Sequence, residues 1–121
     1  MKFGTQKDLE DFLTLEELKL LGSLPWICLR KENFLALFVA DESKKEWEAH
    51  WWSRESAKRS LTDCREALKI FNKEMKVSWV WGITPLENKK ALKMAKLLGC
   101  IPVGFRKGNL GELCLLTRKD L

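Results

Sequence analysis

The run Trp47-Glu48-Ala49-His50-Trp51-Trp52 sets a carboxylate two positions from the only histidine in the chain. In an extended strand, residues two apart share a face, so Glu48, His50 and Trp52 point one way and Trp47, Ala49 and Trp51 the other. Glu48 and His50 are the candidate general base, accepting a proton directly or through water; in a purely structural role they would bond to each other. One histidine excludes any site built from two or more histidines of this chain. Cys28, Cys64, Cys100 and Cys114 form no C-x-x-C pair, and each sits in an apolar segment. That pattern predicts buried, reduced thiols, with neither a zinc site nor a disulfide framework. Arg54, Lys58 and Arg59 follow Trp52 closely. Cations beside an indole could stack and hold a nucleic-acid strand, although such spacing is unspecific.

The elements that must position these residues can be read from periodicity. Thr5 to Asp8 and Thr14 to Glu17 read as helix starts, the second as a capping box, with leucines at helical spacing after each. Gly22 to Pro25 closes this region. A hairpin follows, Trp26–Arg30 and Phe34–Ala40, the second strand apolar on both faces and hence central. After the charged turn Asp41 to Lys45 comes the strand 46–52, then a helix over 54–75 with Ser53 as a possible N-cap. Leu61, Cys64, Leu68, Phe71 and Met75 form its apolar stripe. Residues 77–84 read as a strand. A helix beginning near Pro85 then buries Ala91, Leu92, Ala95 and Leu98 and ends at Gly99. A hairpin over 101–118 closes the chain. The order αα-ββ-β-α-β-α-β-β predicts one α/β (α+β) domain over residues 1–121, a mixed, mostly antiparallel sheet with helices on both faces. Its expected core includes Leu37, Val39, Trp79, Val80, Ala91, Ala95 and Leu115.

Size and charge narrow the function classes. The chain has 121 residues, 45% hydrophobic and 32% charged, enough for one core and too apolar for disorder. Its longest apolar run, Phe34 to Ala40, is far below the ~20 residues of a membrane span, and the N-terminus lacks a secretory apolar stretch. A soluble, intracellular, cytoplasmic protein is expected. Residues 1–53 carry 7 Lys+Arg against 10 Asp+Glu, whereas residues 54–121 carry 15 against 7. The basic half invites an anionic partner, although Lys89, Lys90, Lys93 and Lys96 also read as one solvated helix face.

The stretch from Trp79 through Asn88, Ala91, Ala95, Leu98 and Gly99 to Phe105 resembles the C-terminal half of GNAT-type N-acetyltransferases. There a strand, an Asn-bearing loop, an Ala-rich helix and a hairpin follow one another. The resemblance covers roughly Trp26 to Thr117, and Trp47-Glu-Ala-His50 is similar to small GNAT-like proteins of tailed phages. It implies acetyl-CoA as cofactor, held at Arg54, Ser56, Ala57, Lys58, Arg59 and Asn88. The family loop uses two glycines so that helix-start N–H groups can approach a pyrophosphate. Here Ala57 and Arg59 stand at both, and Glu55 adds a carboxylate. The family's usual tyrosine acid is absent, since the chain has no tyrosine; a water, a serine or Cys100 is left to donate. Together these departures lead us to expect a phage-type GNAT-fold protein with a degraded cofactor loop, acting through a protein partner in assembly or host takeover. It would reside in the host cytoplasm or the virion. The alternatives are an acetyl-CoA-dependent N-acetyltransferase acting on a small amine or protein amino group, and a nucleic-acid-binding module.

Overall fold

A computed structural model describes residues 1–43 and 45–121. Its elements in chain order are β1 (Lys2–Phe3), α1 (Gln6–Phe12), α2 (Leu15–Leu21), β2 (Trp26–Lys31), β3 (Phe34–Ala40) and β4 (Trp47–Ser53). They continue with α3 (Ala57–Met75), β5 (Trp79–Pro85), α4 (Lys89–Leu97), β6 (Ile101–Lys107) and β7 (Leu113–Asp120). The strands form one seven-stranded sheet in the order β1-β2-β3-β4-β5-β7-β6. Every pairing is antiparallel except β4 with β5. The expected mixed sheet is therefore present. One strand was not anticipated: β1, whose two residues pair with Leu29 and Arg30 and are too few to show a period.

Alternation along β3 divides the core in two. Phe34, Ala36, Phe38 and Ala40 face α3, with Trp47, Ala49 and Trp51 of β4 on the same side. There Phe38 stacks on Phe71 of α3 at 3.9 Å between ring centroids, and Trp47 meets the same ring edge-on at 5.2 Å. We call this the back. Leu35, Leu37 and Val39 face the opposite way, the front, and pack with Leu9 of α1, with Leu13 at its C-cap and with Trp52. The apolar character of β3 on both faces is thus explained by helices on both sides. Thr14 caps α2 as expected: its Oγ1 accepts from Glu17 N–H at 3.2 Å, and its own N–H donates to Glu17 Oε1 at 2.8 Å.

The front is covered over only half its width. Helices α1 and α2 lie over β2, β3 and β4. On β5, β7 and β6 the front-facing residues follow from register: Trp81 lies opposite Glu48, Arg118 opposite Trp81, and Ile101 opposite Arg118. Of these Ile101 is 58% exposed, and Trp79, Trp81 and Leu116 are half-buried.

Several expectations change. Val80, Ala95 and Leu37 are buried, but Val39, Trp79, Ala91 and Leu115 are only half-buried. For Trp79 the cause is the uncovered front; for Ala91 it is the open cleft beside α4. Met75 ends the α3 stripe 37% exposed, where the helix runs past the sheet and Lys76 turns left-handed at φ 54°. Helix α3 begins at Ala57 rather than 54, because Ser56 is its N-cap, accepting from Arg59 N–H at 3.3 Å. Ser53, the expected cap, instead bonds Ser60 Oγ at 2.6 Å. Helix α4 begins at Lys89, four residues after Pro85, which closes β5. In the charged turn 41–45, Asp41 Oδ1 accepts from Lys45 N–H at 3.0 Å, and Lys44 lies outside the described residues. Three thiols are buried, whereas Cys100 is half-buried.

Phe71 has no exposure and holds two aromatic contacts at once. Phe71→Ala should cost ~3–5 kcal/mol, read as a lowered midpoint in urea with an unchanged slope.

Candidate functional site

Strands β4 and β5 share one register pair, Glu48 with Trp81. Past it, β4 remains paired with β3 up to Ser53, and β5 with β7 up to Pro85, so neither strand pairs with the other there. A parallel ladder that stops leaves facing backbone groups without strand partners, which an inserted amide-bearing chain can satisfy. The gap is a cleft of about 330 Å³. His50, Trp52 and Glu17 stand at its front, and Leu68, Ala95 and Leu98 at its back. Gly82 on its β5 wall allows close packing, since a Cβ there would meet Thr117 Oγ1 at 2.6 Å.

The alternation read from residues 47–52 puts Glu48 and His50 together: His50 Nε2 lies 3.2 Å from Glu48 Oε1. Both are about one-third exposed, at 34% and 32%. The hydrogen bond from His50 holds the Glu48 carboxyl below its ordinary value, against the opposing effect of burial, and Arg106 assists. With Nε2 turned to Glu48, Nδ1 is the ring nitrogen not engaged by that carboxylate. His50 lines the cleft, whereas Glu48 lines the adjoining recess with Trp81, Arg106 and Leu116. Glu48 thus orients His50 from outside the cleft.

The start of α3 differs from the sequence expectation in two side chains. Arg54 stacks its guanidinium over Phe12 at 4.0 Å and donates to the Asp11 carbonyl, so it ties the loop to α1. Arg30 approaches the same ring at 4.8 Å. Glu55 lies against Asp63, whose Oδ1 accepts from Lys31 Nζ at 2.9 Å; the same ammonium meets Glu66 Oε2 at 2.7 Å. The neighbouring Asp63 carboxyl pushes Glu55 upward, aided by burial. Asp63 itself is lowered overall: burial raises it, but the Glu55 and Lys31 hydrogen bonds outweigh that. One Glu55 oxygen is buried without a partner. Ser56, Ala57, Lys58 and Arg59 are all exposed; Ser56 takes the Arg59 N–H, and the Ala57 and Lys58 N–H groups of this 19-residue helix are left beside two cations that line a recess with Lys31, Glu32, Asn33 and Glu55.

Asn88 lies at the cleft, but its Oδ1 accepts from Ala91 N–H at 3.1 Å, making it the N-cap of α4. Its amide N–H₂ remains to donate. Cys100 also lines the cleft, with Thr117 and Lys119, and burial pushes its thiol up, so it stays protonated at neutral pH. Sequence reasoning missed Glu17, Gly82, Thr117 and Lys119. Glu17 was visible only as a capping residue, yet its second oxygen accepts from Trp52 Nε1 at 3.3 Å. No local pattern signals that contact.

The fold, with its one parallel junction opened into a cleft, is similar to several solved structures. A putative phosphinothricin N-acetyltransferase is 15% identical with a TM-score of 0.68, over 99% of this chain and 96% of that one. A spermidine N-acetyltransferase SpeG chimera from Vibrio cholerae and hSSAT is 12% identical with a TM-score of 0.70, over 97% and 93%. Mycobacterium smegmatis RimJ in complex with CoA-disulfide is 10% identical with a TM-score of 0.63, over 82% and 54%. This chain has the GNAT fold. It spans 65% of one Vibrio cholerae SpeG structure and 54% of RimJ, so GNAT enzymes of that size carry chain beyond the shared part. No family model matches the chain, and no curated protein matches it in sequence.

Among the described residues no group of three or more metal-ligating side chains occurs, and no helix is long and apolar enough to cross a membrane. The Glu55–Asp63 contact yields a pH test of the packing at the start of α3. A carboxyl raised in the folded state stabilises the fold below its unfolded value of about 4.5, and that contribution is lost as pH rises through the folded value. Glu55→Gln should therefore gain stability relative to wild type as pH climbs from 4.5 to 8. Parallel melting curves across that range would refute the pairing.

Proposed function

We propose that the chain binds acetyl-CoA in the β4/β5 cleft and is an N-acetyltransferase of low catalytic power toward an amine. The observation carrying this reading is the cleft itself, with unpaired backbone edges on both walls and His50 at the front; the exposed start of α3 follows the end of β4, its Lys58 and Arg59 lining a separate recess with Lys31 and Glu55. The residues present fit such a cofactor. Ala57 and Lys58 N–H groups, with the Lys58 and Arg59 side chains, are donors suited to a pyrophosphate. Glu55 lies beside Asp63 and Lys31, and the Lys31 ammonium offsets part of the charge of that pair. Arg54, engaged with Phe12 and Asp11, is assigned a structural role rather than a phosphate contact.

Bound acetyl-CoA would supply an activated thioester. The chain's own part is to position and to move protons. His50 Nδ1 takes the proton from the attacking amine, and Glu48 holds the ring and stabilises the imidazolium. Cys100, kept protonated, is the donor toward the departing thiolate in place of a tyrosine. Side chains at Ala57 and Arg59 hinder the close approach of a pyrophosphate to the helix-start N–H groups, and Glu55 adds a carboxylate there, so turnover should fall below the ~10 s⁻¹ of a median enzyme.

A second reading, a phage-type GNAT-fold protein acting through protein contacts, is favoured by the edge strand β6. There Ile101, Val103 and Phe105 are 58%, 50% and 65% exposed.

Acetyl-CoA at 100 times its dissociation constant should stabilise the fold by about 2.7 kcal/mol. Titration calorimetry should show binding that weakens with salt and disappears in the Lys58→Glu/Arg59→Glu double variant. Thiol release with an amine panel should fall 10²–10⁴-fold in His50→Ala, about the worth of one general base. Absence of any heat up to millimolar acetyl-CoA would discard the enzyme and leave the contact protein.

A further inference from the structure

The front of the cleft adjoins a second recess, of about 540 Å³. Trp81 lines both, so the two are continuous along one indole ring. The recess runs past Glu48 to Glu46, the residue before β4, which at ~3.4 Å per extended residue lies ~14 Å from His50. Four carboxylates line it, Asp41, Glu42, Glu46 and Glu48, against one guanidinium, Arg106. Glu48 is committed to His50, with Arg106 nearby. Asp41 accepts from the Ser43 hydroxyl at 2.7 Å and from the Lys45 and Glu46 N–H groups at 3.0 and 3.2 Å. These donors are neutral and hold Asp41 below the ordinary carboxylate range, so its charge is kept rather than cancelled. Glu42 and Glu46 are exposed, as is Lys45 on the same turn, whose side chain is not part of the lining. The cleft has the same polarity from front to back. Besides His50, its charged residues are Glu17 at the front and Lys119, which shares the back face with Val80.

We propose that the acceptor is a small linear dication: an amine carrying a second protonated nitrogen at the far end of an unbranched aliphatic chain. One nitrogen stands at His50, the chain lies along Trp81 and Leu116, and the far ammonium enters among Asp41, Glu42 and Glu46. This rests on the cleft being an acyl-transfer site and adds which amine it takes. The neutral nitrogen at His50 forms the amide as the thioester C–S bond breaks. The proton it gives to His50 balances the one the departing thiolate gains, and the far ammonium keeps its charge throughout. A monoamine of equal length would leave a methyl group among carboxylates. An amino acid of equal length would set its carboxylate against three like charges, with only Arg106 to receive it.

Three probes of one chain length separate charge from shape: diaminooctane, octylamine and aminooctanoic acid. In titration calorimetry of the full chain without acetyl-CoA, diaminooctane should bind about fivefold more tightly than octylamine, the upper worth of an exposed ion pair. Aminooctanoic acid should bind most weakly, and the preference for the diamine should shrink as salt rises. Glu42→Gln/Glu46→Gln should bring the diamine down to the octylamine value and leave octylamine unchanged, and Glu46→Lys should put the diamine below it. Both positions are exposed, so the variants should melt with wild type. Thiol release with the same probes reads the transferase separately. Diamine-selective binding with no thiol release from any probe would fail the transferase and support the dication site. Equal affinity for diaminooctane and octylamine would overturn the proposal. So would tightest binding of aminooctanoic acid, which would give the recess to Arg106, or no heat with any probe at tens of millimolar.

Discussion

Between β4 and β5 the chain makes a parallel junction of one residue pair, and most of what distinguishes the molecule follows from its brevity. Parallel strands cannot be joined by a tight turn, so α3 must carry the chain over the back of the sheet from the end of β4 to the start of β5. That crossover sets the start of a long helix four residues past the end of β4. The two strands stay straight because each keeps an antiparallel partner on its outer side, β3 for one and β7 for the other. A gap in the middle of a sheet is therefore held open by well-made ladders on both flanks.

The site inherits its order from that arrangement. His50 reaches the gap because it is two residues along β4 from the junction residue Glu48, which is why the carboxylate stands behind the ring rather than in the cleft. On the opposite wall, Gly82 is the residue next to Trp81 and the one at which β5 and Thr117 approach too closely for a side chain. Around the α3 start, oppositely charged groups are sorted by depth. Glu55, Asp63 and Glu66 gather around the single ammonium of Lys31, and Lys58 and Arg59 remain outside. The outermost charges at the helix start are therefore cationic, above a cluster richer in carboxylates than in cations.

Much of this was legible because it is local. Alternation over Trp47 to Trp52 assigned both faces of β4 correctly, the Thr14–Glu17 box fixed the start of α2, and the apolar run of β3 announced helices on both sides. What could not be read depends on residues distant in sequence. The capture of Arg54 by Phe12 spans 42 positions, the Trp52–Glu17 bond 35, and neither leaves a period or spacing. The choice of Ser56 over Ser53 as cap turned on Ser60, which competes for Ser53 from within the helix. The half-burial of Trp79 reflects where α1 and α2 stop, a matter of packing that a strand's own residues do not record.

Because the chain passes from one half of the sheet to the other a single time, residues 1–76 hold a complete set of strands β1 to β4 with their helices, and residues 77–121 hold β5, α4, β6 and β7. During synthesis the first of these can assemble its ladders and seat Phe38 against Phe71 while the second is still inside the ribosome. The later half then arrives as a hairpin and a helix that need to find only a preformed edge. A break in the peptide near the left-handed Lys76 would leave each piece with its own hydrogen-bonded strands but would cut one core in two, because Phe38 and Phe71 on one side share a cluster with Val80, Met94 and Leu98 on the other.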